Sequence, residues 1–309
     1  MEDPESAAIR TGVFEWLQYQ AEISEDVFDR KDLIHGFTFR GEAVPLVGPQ
    51  GIFKPKAIRY YPISITTSPE SPYMDELGRN QLIHYQYQRR GPDFHENVRL
   101  KRAMQEKIPL AYFIGLVPNK YLALFPVFIV AADDASLTFT VEIGDYTVGG
   151  GHDQVRGDLD SKRIHDPVFD EVRKEYVTRE TLVRVHQREF REKVLHAYNE
   201  HCSFCSLKHR ELLDAAHIIP DSRGGTASVN NGISLCKIHH SAFDKNILGL
   251  NEDYRIEVRK DILEEIDGPM LRYGLQEMHH RQILLPGTKR YYPDKGFIKE
   301  RYGQFTRRG

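Results

Sequence analysis

Hydrophobic positions near the start of the chain recur with a helical period. Ile9, Val13, Trp16 and Leu17 follow one another at spacings that place them on one side of a helix. The pattern predicts a helix over residues 5–20.

Residues 30–150 have the pattern of strands and turns. Glycine and proline interrupt short apolar runs from residue 33 to residue 69, as they do at the ends of strands. Three further runs are rich in aromatic and β-branched residues and predict strands: 82–88, 121–130 and 137–143. A helix predicted at residues 97–107 has few apolar positions, so we expect it to lie on the surface of a sheet.

The second half of the chain predicts a different order of elements. The stretch 147–167 is rich in glycine and aspartate and predicts a loop and linker. The elements predicted after it are a helix at 168–200, a strand-like run ended by Pro220, a helix at 234–244, a strand pair at 247–258 and a helix broken at Gly268-Pro269. We place the domains at residues 1–160 and 186–309, with a linker and helix at 161–185.

Composition and charge narrow the class of protein only moderately. A chain of 309 residues is comfortable for two domains, and 40% hydrophobic with 28% charged residues is typical of globular proteins. No apolar run approaches the roughly 18–20 residues of a membrane span, and the acidic start MEDPESAAIRTG is not expected to be a signal peptide. The net charge of −3 argues weakly against a nucleic-acid partner, but the distribution matters more than the sum: by count, residues 1–170 carry roughly −7 and residues 171–309 roughly +4.

All three cysteines lie at metal-ligand spacing. Cys202 and Cys205 form C-x2-C, and Cys236 and His239 form C-x2-H. Four sulfur and nitrogen ligands supplied by two such pairs are typical of a closed, structural zinc site, although unrelated buried thiols would share the spacing. Zinc held by thiolates points to a reducing compartment, so we expect the protein in the cytoplasm.

Further polar residues in the same stretch supply candidate catalytic groups. If residues 234–244 are helical, His239 and His240 project about 100° apart, so that one faces the zinc and the other faces away. Asp244 lies one turn beyond His240 on the same face. The strand, loop, strand and helix would bring His217 and Asn231 to His240, although a core histidine and a turn asparagine are the plainer interpretations of those two residues.

The complete pattern in this stretch is C-x2-C, AAHIIP, Gly-Gly, NNGISLC and C-x2-HH-x3-D. It resembles the HNH nuclease family, whose active site is a ββα-metal fold. The resemblance implies that His217 is the general base, that Asn231 orients it or supports the metal, and that His240 binds a catalytic Mg²⁺ or Mn²⁺. Such a base and cation suit phosphodiester hydrolysis, which needs an activated water and stabilisation of the leaving oxygen.

One position departs from the family pattern. Many members place Asp or His directly before the general base as a second metal ligand, and here that position is Ala216. Strand alternation places Asp214 and His217 on opposite faces, so we expect Asp244 to supply the extra carboxylate. His279 and His280 have no matching partners in the sequence and are expected to be surface residues.

Residues 71–113 contain a Tyr-x-Asp, a strand ending in tyrosine, a basic loop and an asparagine before a helix. They resemble SRA (YDG) domains, which read modified cytosine by flipping it. A flipped base needs aromatic faces and polar groups at its edge. The resemblance implies stacking by Tyr73, Tyr85 and Tyr87, an acceptor at Asp75 and phosphate contacts from Arg89 and Arg90. The alternative is that the tyrosines only pack the strands of a small barrel.

Together these patterns predict an α+β protein. An N-terminal SRA-like (PUA-like) β-barrel would be followed by a zinc-stapled ββα-metal HNH nuclease. The resemblance implies an endonuclease, acting as a homodimer, that cuts double-stranded DNA near 5-methylcytosine or 5-hydroxymethylcytosine. Two alternatives stay open: an HNH nuclease that reads unmodified sequence or DNA structure, and a non-catalytic zinc-containing DNA-binding protein.

Overall fold

The computed structural model describes residues 2–69, 83–88, 91–144 and 167–307, with side chains omitted for 167–180 and 182. The chain divides into two compact units, Met1–Val185 and His186–Gly309. Both units mix helices with mainly antiparallel strands, in agreement with the predicted α+β class. The part of the chain that is described contains no helix with the length and apolar character of a membrane span.

The described residues of the first unit before residue 145 contain a mixed sheet and three helices. The helices are α1 (Pro4–Ser24), α2 (Arg30–His35) and α3 (His95–Gln105). The strands are β1 (Val27–Asp29), β2 (Phe37–Phe39), β3 (Glu42–Val44), β4 (Ile52–Phe53), β5 (Ser64–Thr67), β6 (Ile83–Gln86), β7 (Leu110–Val117), β8 (Lys120–Asp133) and β9 (Thr138–Ile143). The predicted strands at 82–88, 121–130 and 137–143 are thus present.

Seven of the described strands form one sheet. Its order is β4-β5-β7-β8-β9-β6, with β1 also paired to β8, and β5–β7 is the parallel pair. The two ends of the path approach each other, since a Cβ on Gly51 beside β4 would meet the Tyr85 hydroxyl of β6 at 2.6 Å. The described strands therefore form a curled sheet, and closure into an SRA-like barrel stays a prediction.

Both faces of this sheet are covered, which explains why β7 is buried along its whole length. Side chains that alternate along a strand point to opposite faces. Phe113 belongs to the apolar cluster that contains Val13 and Leu17 of α1. Tyr112 and its neighbours on the other face belong to the cluster that contains Leu100 of α3. The predicted position of a helix against the sheet is confirmed for α3.

Helix α1 begins and ends with clear capping interactions. Oδ1 of Asp3 accepts a hydrogen bond from the Ser6 amide at 3.0 Å, and Pro4 occupies the first turn, where its missing N–H costs nothing. Arg10 is buried and donates to the carbonyl oxygens of Pro62 (3.0 Å) and Pro109 (2.9 Å). This guanidinium ties the helix to the loops that flank β5 and β7.

Asn97 in the first turn of α3 holds a loop in place. Its Oδ1 accepts from the Gln88 amide at 2.9 Å, and its Nδ2 donates to the carbonyls of Gly91 (2.8 Å) and Gln88 (3.2 Å). The side chain is fully buried, so these bonds also satisfy its polar atoms. Asn97 therefore ties Gln88 and Gly91, the described residues on either side of Arg89 and Arg90, to the start of α3.

The second unit combines a hairpin, a second strand pair and helices. Helix α4 (Pro167–Ala197) leads into it, as the helix predicted at 168–200 anticipates, whereas most of the linker predicted at 147–167 lies outside the described residues. Its strands are β10 (Leu213–His217), β11 (Gly232–Cys236), β12 (Leu248–Leu250) and β13 (Ile256–Val258). Its helices are α5 (Lys237–Asp244), α6 (Lys260–Glu264), α7 (Pro269–Gly274) and α8 (Lys295–Thr306).

Candidate active site and metal centre

The centre of the second unit is the hairpin β10–β11 followed directly by α5. The strands pair in antiparallel register from Leu213 opposite Cys236 to His217 opposite Gly232. Of residues 234–244, which were considered as a helix, only those from Lys237 onward are helical, because Ser234 belongs to the ladder of β11. Two strands and a helix in this order form a ββα unit.

The three cysteines and His239 converge on one point. Their four candidate ligand atoms all lie within 4.8 Å of one another. Nδ1 of His239 is 3.4 Å from Sγ of Cys202 and 3.2 Å from Sγ of Cys236. Hydrogen bonds from Cys202 and Cys205 lower the pKa of the Cys236 thiol, which favours the thiolate that metals bind.

The donor set fits a tetrahedral zinc ion. With Zn–S of about 2.3 Å and Zn–N of about 2.0–2.1 Å, tetrahedral ligands place sulfur and nitrogen about 3.5 Å apart, close to the distances found. Nε2 of His239 lies 2.8 Å from the Gly274 carbonyl, which fixes the ring with Nδ1 toward the sulfurs. A backbone carbonyl in this position is the usual outer partner of a metal-bound histidine.

His240 faces a different set of groups from its neighbour. Its Nδ1 lies 3.1 Å from Oδ2 of Asp214, and its Nε2 lies 3.3 Å from Oδ2 of Asp244. The hydrogen bond with Asp214 is the main cause that raises the pKa of the His240 imidazole. The two adjacent histidines thus serve two different clusters, as the helical period predicts for His239 and His240.

Asp214 is the site residue that sequence reasoning excluded. Burial is the largest influence and raises the pKa of its carboxyl, but the hydrogen bonds from His240 and the Ala215 amide, together with the charges on His240 and Arg191, outweigh burial, so the net pKa is lowered. Nε of Arg191, on α4, lies 3.7 Å from Oδ1 of Asp214. The expectation that this carboxylate points away from the site was wrong. Asp214 meets His240 on α5, so its place in the site does not depend on the face of β10 that His217 occupies.

Ala216 cannot take part in the site, because it is fully buried in the core of the second unit. A cation ligand is therefore missing at that position, and the carboxylates beside His240 are those of Asp214 and Asp244. A cleft of about 480 Å³ is lined by Asp214, His240 and Asp244, together with Lys237 and Lys245.

His217 is held by stacking at the edge of this site. Its ring lies parallel to Phe190, with centroids 3.9 Å apart and an angle of 11° between the planes. Nε2 has no hydrogen-bond partner among the described residues, and the nearest carboxylate oxygen is Oδ1 of Asp221, 3.5 Å away. Burial is the main cause that lowers the pKa of the His217 imidazole, and the charge on His240 lowers it further. A neutral imidazole with a free ring nitrogen is suited to accept a proton.

Asn231 fixes the loop that follows His217. Its Oδ1 accepts from the Ile219 amide at 2.9 Å, and its Nδ2 donates to the carbonyls of Ile219 (2.9 Å) and Thr226 (2.8 Å). A Cβ on Gly225 would lie 1.8 Å from the Ile219 carbonyl oxygen, so the loop closes here only with glycine. The fully buried Asn231 side chain therefore clamps the loop that follows His217.

The HNH_2 family of HNH endonucleases matches residues 202–251. These residues contain both the cluster of the three cysteines with His239 and the cluster of His240 with Asp214 and Asp244. The chain carries an HNH endonuclease domain. Its reaction is the hydrolysis of phosphodiester bonds. The chain has no significant match among curated proteins.

Among solved structures, the chain is similar to the modification-dependent TagI restriction endonuclease. The TM-score is 0.29 at 14% sequence identity, with 79% of this chain and 81% of that chain covered. Similarity at this level establishes neither a shared fold nor a shared specificity.

The six residues predicted to contact DNA in the first unit have mixed outcomes. Tyr73, Asp75, Arg89 and Arg90 lie outside the described residues. Tyr85 and Tyr87 are buried in the apolar core beneath α3. The ring centroids of Tyr87 and Phe139 lie 4.2 Å apart, and the Tyr87 hydroxyl donates to Oδ1 of Asp134 at 2.7 Å. These contacts give the two tyrosines a packing role, and their contact with a base stays a prediction.

His279 and His280 have a partner that the sequence did not reveal. Nδ1 of His280 is 3.4 Å from Oε1 of Glu257, and Nδ1 of His279 is 3.7 Å from Oε2. His279 Nδ1 also accepts from the Val258 amide at 3.1 Å. His280 is exposed, as expected, whereas His279 is half-buried, and both lie against Glu257 of β13.

Proposed function

We propose that the protein is a modification-dependent DNA endonuclease that cuts near 5-methylcytosine or 5-hydroxymethylcytosine. The observation that carries the nuclease chemistry is the placement of His240 between Asp214 and Asp244, next to His217. The HNH domain supplies the cutting activity. The dependence on modified cytosine rests on the resemblance of residues 71–113 to SRA domains.

In the proposed reaction, Nε2 of His217 takes a proton from the attacking water. The oxygen of that water bonds to phosphorus, the bond from phosphorus to the leaving oxygen breaks, and solvent protonates the leaving oxygen. Asn231 contributes by holding the loop that starts directly after His217. The side chain of Phe190 keeps the imidazole plane fixed by stacking.

His240 and Asp244 are the proposed ligands of the catalytic Mg²⁺ or Mn²⁺. Asp214 accepts the Nδ1–H of His240, which leaves Nε2 toward Asp244 for the cation; carboxylates orient metal-bound histidines in this way. The bound cation would stabilise charge on the leaving oxygen. Two protein ligands suffice for such a cation, since Mg²⁺ commonly keeps several waters.

Structural zinc is the proposed occupant of the cluster of Cys202, Cys205, Cys236 and His239. All four ligands come from the protein, so the site is closed and supplies folding energy instead of catalysis. It joins the segment before β10 to the start of α5, which carries His240.

The proposed reader uses the curled sheet of the first unit. Asn97 holds Gln88 and Gly91, the described neighbours of Arg89 and Arg90, and the two arginines are the proposed contacts to phosphates beside a flipped base. The resemblance adds Tyr73, Asp75, Tyr85 and Tyr87 to the proposed base pocket.

A homodimer is proposed because one HNH site cuts one strand. The segment after α6 exposes large apolar side chains, among them Ile266, Met270 and Tyr273. Such a patch is typical of protein interfaces. Light scattering of the wild-type protein and of Ile266→Asp should show a dimer and a monomer, respectively; a monomeric wild type, with or without DNA, would contradict the proposal.

The function is tested with matched plasmids that carry cytosine, 5-methylcytosine or 5-hydroxymethylcytosine. With Mg²⁺ or Mn²⁺, the wild type should cut only modified plasmids, and His217→Ala should bind them without cutting. Equal cutting of all plasmids would favour an HNH nuclease that reads unmodified sequence or DNA structure. Binding without cutting by the wild type would contradict the assignment of the catalytic groups.

A further inference from the structure

A second cleft opens beside the candidate active site in the HNH-containing unit. It has a volume of about 250 Å³. Its lining residues are Arg223, Asp244, Asn246, Arg301, Gln304 and Arg307. Asp244 also lines the cleft that contains His240, so the two clefts meet at this carboxylate.

Helix α8 builds the second cleft from outside residues 202–251. Nη1 of Arg223 donates to Oε1 of Gln304 at 2.5 Å, which ties α8 to the short turn that also carries Asp221. Nη2 of Arg301 donates to the carbonyl of Phe243 at 2.7 Å, at the end of α5. The helix thus connects the loop behind the proposed base with the helix of the proposed cation ligands.

Two guanidinium groups in this cleft are open to a ligand. Arg223 and Arg307 are exposed, and within the described residues neither forms an ion pair with a carboxylate. Planar guanidinium groups bind phosphate oxygens through pairs of parallel hydrogen bonds. Arg301 differs, since its buried guanidinium holds backbone carbonyls.

A buried amide independently marks this cleft as a binding site. Asn246 is 5% exposed, and its Oδ1 has no hydrogen-bond partner among the described residues. A buried polar atom without a partner is unfavourable and points to a ligand complex that completes its bonding. A guanidinium has five N–H donors. One that binds a phosphate can therefore also donate to Oδ1 of Asn246.

We propose that this cleft binds a backbone phosphate of DNA adjacent to the phosphate that is cut. Arg223 and Arg307 hold the phosphate, and Asn246 positions one of the guanidinium groups. The carboxylate of Asp244 faces His240, where a bound cation would offset its repulsion of DNA. This inference rests on the proposed nuclease function and assigns α8 a role in substrate binding.

The test measures DNA affinity at several salt concentrations. His217→Ala serves as the uncut parent, to which Arg223→Gln and Arg307→Gln are added singly and together, with an unmodified and a modified duplex as probes. Loss of this one phosphate contact in the double variant should reduce the slope of log K against log salt by about 0.9, and each single variant should reduce it by less. Arg272→Gln, an exposed arginine on α7 that does not line the cleft, is the matched control and should leave the slope unchanged. Asn246→Gly removes the amide but permits the positive φ of 55°, and should weaken binding of both duplexes equally.

The outcomes separate this inference from the proposed function. Slopes of the Arg223 and Arg307 variants equal to that of the Arg272 control would overturn the phosphate site while leaving nuclease activity intact. If the wild type cut modified and unmodified plasmids equally while the Arg223 and Arg307 variants had reduced slopes, only the proposed recognition of modified cytosine would be overturned. A parent that binds neither duplex at low salt would overturn both. Thermal melts of the variants should match the parent, because both arginines are exposed.

Discussion

Oδ2 of Asp214 lies 3.1 Å from Nδ1 of His240, and this contact joins the first strand of the ββα unit to its helix. Arg191 of α4 approaches the other carboxylate oxygen at 3.7 Å. The carboxylate therefore has one oxygen for the imidazole and one for the guanidinium. This arrangement leaves Nε2 of His240 for the proposed cation.

Asp214→Asn should weaken cation binding without unfolding the domain. The amide loses the charge that orients and polarises the imidazole, and loss of such an outer partner typically costs about 10–100-fold in metal affinity or activity. We expect the Mn²⁺ concentration for half-maximal cleavage to rise by that factor.

Two comparisons make this measurement decisive. Asp214→Glu should recover part of the affinity, whereas Asp253→Asn, which removes an exposed carboxylate away from the cleft, should behave as the wild type. An unchanged Mn²⁺ requirement in Asp214→Asn would show that the carboxylate has only a structural role.

The sequence predicted the parts of the site that depend on local spacing. Cys202 with Cys205, and Cys236 with His239, are close in the chain, so a short knuckle brings each pair together. The divergence of His239 and His240 follows from the helical period alone.

The parts that failed depend on how separate elements pack. Alternation relates Asp214 to His217 within β10, but it cannot show that α5 lies over Asp214. For the same reason the sequence did not show the contact of Arg191 on α4, the hydrogen bonds of Asn231 to its loop, or the contribution of α8 through Arg223 and Gln304. In each of these cases at least one partner lies 12 or more residues away in the chain.

The pH dependence of cleavage should report the lowered pKa of His217. The base acts in its neutral form, and burial favours that form, so the acid limb of kcat/KM is expected below the ordinary value of 6.5. Activity should be retained as pH falls toward that value and lost at lower pH. Asp221, Asp214 and Asp244 face the ring and oppose the shift, while His240 supports it.

Saturating Mn²⁺ separates this limb from protonation of His240, whose raised pKa makes protons compete with the cation. His217→Ala should lower kcat by about 10²–10⁴-fold, the usual contribution of a general base, and should remove the acid limb. An acid limb above pH 6.5 at saturating Mn²⁺ would contradict the assignment of His217.

Asn231→Ala should impair both stability and cleavage. The change leaves the amide of Ile219 and the carbonyls of Ile219 and Thr226 without partners, at a cost of about 1–3 kcal/mol for each buried group left unpaired. Asn230→Ala is the matched control, since its side chain donates to the carbonyls of Arg290 and Tyr292. Measured well below both melting temperatures, kcat should fall only in Asn231→Ala. Equal values of kcat would mean that Asn231 stabilises the fold without positioning His217.

Removal of the structural zinc should unfold the HNH domain, whereas removal of the catalytic cation should not. Cys202→Ser takes one thiolate from a cluster whose four ligand atoms lie within 4.8 Å, and structural zinc binding in small domains contributes about 10–16 kcal/mol of apparent free energy. The variant should lose zinc by metal analysis and lose the thermal transition of the second unit.

His240→Ala should keep one zinc per chain and the wild-type melting temperature, but lose cleavage, because His240 faces Asp214 and Asp244 and not the cysteines. Cobalt substituted into the wild type should show thiolate-to-metal charge-transfer absorption that Cys202→Ser lacks and His240→Ala retains. Retention of that absorption in Cys202→Ser, or its loss in His240→Ala, would show that the two clusters are not separate metal sites.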